Sequence, residues 1–277
     1  MRQKAIKKGL GRTFLYLALF LICLISIFPY LWMVIVSLKE KVLVYQPGVI
    51  FFSPTFVNYV NVFKLHDLDS YMINSAIIAI LNCLVSLVLG SMTAYSLARH
   101  KFRGRETTAF FLTFIKILPS VASMIPIFVI ASLLKVLDTH ALLITVYLLF
   151  NIPFTVLIMR GFFEEIPVEL EEAALIDGCN HFQTMLKVVV PLAAPGMAAT
   201  AIFCVINAWN EFTFAMLLTT YESSTVPTIV QIFKTVSGIV WGEMAAVGTV
   251  ATLPVIVFAM IVQKHMVRGL SFGAVKG

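Results

Sequence analysis

Six long runs of apolar residues, separated by short segments that hold nearly all of the charge, constrain this chain more than any other feature in it. About 20 apolar residues at 1.5 Å per residue cross a hydrocarbon layer of ~30 Å, and a helix satisfies its own backbone while doing so. The runs fall near 14–37, 71–98, 107–134, 141–159, 192–219 and 244–263. Composition agrees, since 60% of the 277 residues are hydrophobic and 12% charged, against roughly 45–50% and 25% in soluble domains. A soluble globular protein is excluded, and the expected fold class is all-α: a polytopic membrane protein of six transmembrane helices. The first run is too long and uninterrupted for a signal peptide and reads as a retained anchor.

Lysine and arginine placement sets the orientation, because basic residues accumulate on the cytoplasmic side of a membrane and acids contribute little. Arg2, Lys4, Lys7, Lys8 and Arg12 precede the first run, and Arg99, Lys101, Arg103 and Arg105 join the second to the third. With Arg160, Lys187, Lys264, Arg268 and Lys276 they put fourteen of the twenty basic residues on one face. Lys39, Lys41, Lys64, Lys135 and Lys234 lie on the other, and Lys116 falls inside the third run. Both termini are therefore expected in the cytoplasm, and the net charge of +6 follows from topology rather than from nucleic-acid binding. Residues 1–13 form a cytoplasmic N-terminus, 14–263 the membrane domain with a cytoplasmic loop at 160–191, and 264–277 a cytoplasmic tail. The stretches 38–70, 160–191 and 220–243 are too short to bury a core of their own.

Cys23, Cys83, Cys179 and Cys204 have no paired spacing, so neither a disulfide framework nor a thiolate metal site is expected. His66, His100, His140, His181 and His265 lie between or beyond the apolar runs. No metal or acid–base cluster can be built from them within the membrane.

The loop at 160–191 carries the most informative chemistry. Pro167 suits a helix start, Glu169, Glu171 and Glu172 sit in early turns where the helix dipole favours anions, and Gly178 supplies a left-handed stop. A second helix follows, with Phe182, Met185, Leu186 and Val189 on one face, and Pro191 and Pro195 end it. The two helices meet at a glycine to form an elbow. Glu164, Glu165, Glu169, Glu171, Glu172 and Asp177 make it acidic on an otherwise basic surface. Such a segment avoids anionic headgroups and suits a basic protein surface, or stands solvated with no partner. Ala173 and Ala174 would let a partner's groove approach the helix backbone.

Glu172-Ala173-Ala174, three residues, Gly178, nine residues and then Val188-x-Val190-Pro191 resemble the EAA loop of binding-protein-dependent ATP-binding cassette importer permeases. That loop reads EAAxxxG followed after nine residues by IxLP; valines stand here in place of Ile and Leu. The six-run layout, the stretch Asn207-Ala208-Trp209-Asn210-Glu211-Phe212 and the tail 267–277 are similar to the carbohydrate subgroup, in its maltose-type members without a large extracytoplasmic insertion. The resemblance implies the type I importer permease fold, a bacterial inner-membrane location and import of a sugar, oligosaccharide or polyol. It further implies three kinds of protein partner: a second homologous permease completing a heterodimeric pore, an ATPase dimer docking on 160–191, and an extracytoplasmic substrate-binding protein.

Carried residue by residue, the resemblance makes the elbow an ATPase-coupling element. Glu171, Glu172 and Asp177 would supply its anions, Ala173 and Ala174 its close-packing positions and Gly178 its angle, while Gly273 and Lys276 in the tail would make a second contact. No cofactor is expected on this chain. It lacks a GxxxxGK[ST] phosphate loop, so ATP and Mg belong to the partner ATPase and no catalytic residue is assigned.

Ionised side chains at mid-span cost roughly 2.5–3.5 kcal/mol on insertion scales, so they face a wet cavity or another helix. Glu211 with Asn207 and Asn210 is the densest polar group in a span, and Trp209 beside it offers an aromatic surface of the kind sugars use. Interhelical hydrogen bonding is the alternative role. Lys116 is a further candidate for a substrate pathway; Asn74, Asn82 and Asn151 are weaker ones and read more as helix-packing glue. Counting at 1.5 Å per residue puts Lys116 about 13 Å deep and Glu211 about 25–30 Å deep, so no direct pair is expected. Pro119, Pro126 and Pro153 mark places for kinks. Two other classes compete: an ion-coupled secondary transporter, which calls for inverted repeats and broken mid-membrane helices, and an intramembrane enzyme, which calls for a nucleophile–base or metal set inside the spans.

Overall fold

The computed structural model describes residues 2–236 and 238–272, with side chains described for 15–236 and 238–261. Thirteen helices and one small hairpin make up the described chain: α1 (Arg2–Ser37), α2 (Val57–Lys64), α3 (Leu68–Arg99), α4 (Arg105–Ile117), α5 (Ser120–Leu133), α6 (His140–Glu164) and α7 (Val168–Ile176) come first. They are followed by α8 (His181–Thr184), a π-helical turn at Met185–Val189, α9 (Val190–Leu192), α10 (Ala194–Trp209), α11 (Thr213–Leu218), α12 (Val226–Ile229), strands β1 (Lys234–Thr235) and β2 (Gly238–Ile239), and α13 (Trp241–Phe272).

Four helices are long and apolar enough to cross a membrane by themselves: Leu15–Ser37, Leu68–Arg99, His140–Glu164 and Trp241–Ile261. The third run is bent within itself, and the fifth turns sharply from the helix ahead of it. Arg105–Ile117 and Ser120–Leu133 meet at 96°, and His181–Leu192 and Ala194–Trp209 meet at 81°. The first break has a local cause, since Leu118 precedes Pro119 and the proline ring drives it out of the helical region, to φ −61°, ψ 128°. Pro126 and Pro153 stay inside α5 and α6, which continue through them.

The chain divides into two compact units. One comprises residues 1–68 and 230–252. Its polar framework is dense: Asn58 donates to the carbonyls of Ser37 and Lys39 at 2.8 Å each, and Asn61 donates to Glu243 at 2.7 Å. Lys39, almost fully buried, donates to the Gln46 carbonyl at 3.2 Å and lies over the rings of Trp32 and Phe52. That arrangement replaces part of the hydration an ammonium loses on burial. The antiparallel hairpin pairs Lys234 with Ile239 and Thr235 with Gly238, and Tyr45 ties it down by donating to the Ile239 carbonyl at 2.7 Å.

The other unit, 69–229 and 253–277, holds α3, α6 and α10 together. Gly90 of α3 lies so close to Thr155 of α6 that an added Cβ would stand 2.5 Å from the threonine methyl. Small residues allow such approach where lipid offers no hydrophobic drive between helices. Asn82 and Asn151, both buried, bond to each other at 2.6 Å, and Asn151 also donates to the Cys204 carbonyl at 3.1 Å. Asn82 thus serves as helix glue, as expected. At the basic end an apolar core forms from Ala94, Tyr95 and Leu97 of α3, Val156, Met159 and Phe163 of α6, and Met185, Val189 and Ala193.

At the opposite end of this unit, Asp138 organises the segment after α11. Its carboxylate accepts from the backbone N–H groups of Tyr221, Glu222 and Ser223 at 2.9, 3.0 and 3.1 Å and from the Ser223 hydroxyl at 3.1 Å. Asn74 donates to the Glu222 and Ser224 carbonyls at 3.0 Å each and bonds His140 at the start of α6 at 2.8 Å, so it fastens a loop as well as joining α3 to α6. Burial raises the Asp138 pKa, but the backbone donors of Ser223, Glu222, Tyr221 and Thr220 outweigh it and bring the group from 3.8 to about 2. With the folded pKa below the unfolded one, the contribution is whole above pH ~4 and is lost as pH falls toward ~2. Asp138→Asn is expected to melt below the native protein at pH 7, with the gap closing over that acid range; a gap independent of pH contradicts the assignment.

Candidate functional site: the elbow and the cavity beside Glu211

The elbow forms where local chemistry placed it. Gly178 takes φ +89°, a left-handed conformation that other residues adopt at a cost, and nothing crowds it, so the turn requires glycine for its backbone alone. Asn180 then starts α8 through a capping box: its side chain accepts from Gln183 N at 2.9 Å, and the Gln183 side chain accepts from Asn180 N at 3.0 Å. The second helix ends ahead of the 81° bend at Ala193, between Pro191 and Pro195. Its expected apolar face is only half buried. Met185 and Val189 enter the core while Phe182 and Leu186, on the neighbouring edge of the same helix, stay exposed.

The elbow's residues divide by face. Glu172, Ala173, Asp177 and Gly178 are exposed, beside exposed Leu170 and Ile176. Glu171 and Ala174 turn inward, which corrects the expectation that both face a partner. Glu171 is 5% exposed, accepts from Arg99 Nε at 2.6 Å through one carboxylate oxygen and from the Tyr95 hydroxyl at 2.7 Å through the other. The i, i+3 spacing of Glu171 and Ala174 already marks a shared helix face. Gly273 and Lys276 lie outside the described residues.

The second group of candidates surrounds a cavity of about 210 Å³ lined by Lys116, Leu118, Ser120, Tyr147, Phe150, Asn151, Asn207, Ala208, Glu211 and Phe214. Its geometry follows from broken helices. α10 stops at Trp209, Asn210 adopts φ −90°, ψ 0°, and α11 restarts at Thr213. Glu211 sits in the break and its carboxylate accepts from Phe214 N at 3.0 and 3.2 Å and from Ala215 N at 3.1 Å. A buried helix start that would leave N–H groups unpaired is capped by an acid placed just ahead of it.

Lys116, Asn151, Asn207 and Glu211 therefore share one cavity, whereas Trp209 and Asn210 do not line it. Trp209 is 7% exposed and packs into the protein, so it offers no open aromatic surface there. The aromatic lining comes instead from Tyr147, Phe150 and Phe214. Tyr147, Phe150 and Asn151 are spaced for one face of α6, a signal the charged and amide residues overshadowed. Counting at about 1.5 Å per residue puts Lys116 and Glu211 at different depths. The two nevertheless line the same cavity, without an ion pair between them. Lys116 places its ammonium over the Phe154 ring, 5.2 Å from the centroid. Asn151 is committed to Asn82 and Cys204, and accepts from Asn207 at 3.4 Å, so it acts as a wall of the cavity. Among the described residues no group of three or more His, Cys, Asp or Glu is arranged to hold a metal ion.

A family model described as binding-protein-dependent transport system inner membrane component matches residues 86–272. The chain is 33% identical over 282 residues to the trehalose/maltose transport system permease protein MalG of Thermococcus litoralis, covering 100% of both. It is 37% identical over 255 residues to the trehalose transport system permease protein SugB of Mycobacterium tuberculosis, covering 91% of this chain and 93% of that one. Among solved structures, it is similar to a chain of a bacterial ABC transporter involved in the import of the acidic polysaccharide alginate. The TM-score is 0.75 at 25% identity, covering 90% of this chain and 94% of that one.

If Glu211 holds the break, its substitutions separate by hydrogen-bonding capacity. Glu211→Gln keeps an acceptor oxygen and should change the thermal midpoint in detergent little. Glu211→Leu strands the Phe214 and Ala215 N–H groups and should cost about 1–3 kcal/mol. Equal midpoints for the two variants contradict the capping role.

Proposed function

We propose that this chain, which belongs to the binding-protein-dependent transport system inner membrane components and is a permease subunit of an ATP-binding cassette importer, carries a carbohydrate. The relatives named for trehalose, maltose and alginate all handle polyhydroxylated cargo. The cavity beside Glu211 suits that chemistry, with amides and a carboxylate for hydroxyl groups and the rings of Tyr147, Phe150 and Phe214 for apolar sugar faces. At about 210 Å³ it is smaller than the ~300–1,000 Å³ of self-contained ligand sites. This chain then supplies one wall of a pathway that a second, related permease completes.

In this reading ATP is hydrolysed on a separate ATPase dimer, and the chain itself does no covalent chemistry. The observation that carries the reading is the elbow's outer face, where Glu172, Ala173, Asp177 and Gly178 stand exposed beside Leu170 and Ile176. An acidic rim around an apolar patch suits a basic cleft on another protein. Closure of the ATPase dimer moves the elbow, and the cavity changes the side to which it opens. A soluble receptor delivers the sugar at the face opposite the elbow; a transporter with the same fold forms a complex with an alginate pentasaccharide-bound periplasmic protein. The tail 273–277 is proposed as a second ATPase contact.

Purification of the tagged protein in mild detergent from its own membrane should recover an ATPase with phosphate-loop peptides and a second permease. Glu172→Lys should keep expression and membrane insertion while abolishing coupled uptake. Recovery of the chain alone under crosslinking, or unchanged uptake by Glu172→Lys, contradicts the docking assignment.

A further inference from the structure

By chain connectivity the elbow is an extension of α6 and α10, and motion imposed on it would pass to those two helices. The hydrogen bonds lead elsewhere. Both carboxylate oxygens of Glu171 are occupied by the last turns of α3, through Arg99 Nε at 2.6 Å and the Tyr95 hydroxyl at 2.7 Å. Arg99 also donates through Nη2 to the Ile166 carbonyl at 2.7 Å, just ahead of Pro167 and the start of α7. The Tyr95 ring meets Phe163 of α6 edge-on at 6.0 Å. The Arg99 and Glu171 side chains are 9% and 7% exposed, so solvent neither screens the pair nor competes for it.

The same helix reaches the cavity. Asn82, in the middle of α3, donates to the Ile144 carbonyl at 3.1 Å and accepts from Asn151 at 2.6 Å. Asn151 in turn accepts from Asn207, and both line the cavity with Glu211. Between these ends Gly90 sits against Thr155 with no room for a Cβ. From Asn82 to Arg99 the helix spans about 25 Å at 1.5 Å per residue and contains no proline.

We propose that α3 is the connecting rod of the transporter, with Glu171, Arg99 and Tyr95 as positioning residues that lock it to the elbow and Asn82 as the bond that passes its displacement to the cavity wall. Glu171 therefore does not meet the ATPase; it faces away from the surface on which Glu172 lies. Elbow and rod move as one body because both carboxylate oxygens of Glu171 are paired across their junction, and slipping would strand a buried carboxylate. This inference rests on the elbow being the ATPase docking site.

Its test needs no knowledge of the sugar. In the assembled complex in lipid nanodiscs, with Cys23 and Cys179 changed to serine, Ser120→Cys places a thiol on the cavity lining. The labelling rate by a charged methanethiosulfonate is measured without nucleotide and with ATP plus vanadate. The parent should change its rate about tenfold between the two conditions, as a shift between two states requires. Tyr95→Phe and Glu171→Gln should each reduce that change to less than about twofold while the ATPase still co-purifies, and the double variant should be no worse than either, since both act on one junction. Tyr95→Phe removes a single hydroxyl and keeps the test valid where Glu171→Gln fails to assemble. A full response in Tyr95→Phe, or loss of the ATPase from Glu171→Gln with normal assembly of the two permeases, overturns the rod. A parent that binds the ATPase yet shows no response to nucleotide counts against alternating access through this cavity, which is the underlying reading.

Discussion

Hydrocarbon offers no hydrogen bonds, and the arrangement of this chain follows from meeting that constraint wherever a helix is interrupted. The break between α10 and α11 is tolerable because Glu211 supplies acceptors to the two N–H groups it exposes. The amides of Asn82, Asn151 and Asn207 are tolerable because they satisfy one another and the Ile144 and Cys204 carbonyls. Each such solution joins two or three helices at one point. The residues that make non-helical backbone possible are thereby the ones that surround the cavity.

At the basic end the same economy applies to charge. Glu171 and Arg99 are both removed from water, and the pair persists because Tyr95 and the Ile166 carbonyl take the remaining bonds. A neighbouring acid, Glu172, stays in solvent. Two adjacent glutamates on a nine-residue helix thus divide the work, one fastening the elbow to the membrane domain and the other left for a partner. On the proposed docking of an ATPase, the buried pair would fix the far side of the exposed surface.

Much of this was legible in the sequence, and the parts that were not have identifiable causes. Apolar runs located the spans, and glycine, proline and capping chemistry located the elbow, because those signals act within a few residues. Glu171 and Ala174 were read by charge and size as outward positions, although their i, i+3 spacing put them on one face; whether that face is covered depends on Tyr95 and Arg99, more than 70 positions earlier in the chain. A continuous helix would set Trp209 beside Glu211, but α10 ends at Trp209 and the ring is buried. The bend at Leu118–Pro119 has a local cause in the proline, while its two arms pack on different partners, α4 on α6 and α5 on α11. Local rules report where a helix can break, and tertiary contacts decide how far it turns.

In the proposed mechanism, movement of an outer elbow by ATP-driven closure of a partner opens a path for sugar. Reconstitution of the complete complex into liposomes, with ATP inside and the soluble receptor outside, tests it most directly. Uptake of a radiolabelled sugar drawn from trehalose, maltose and their oligomers should require ATP and the receptor together and should persist when ionophores collapse every ion gradient. Uptake that follows a proton or sodium gradient without ATP would contradict the account and restore the secondary-transporter reading.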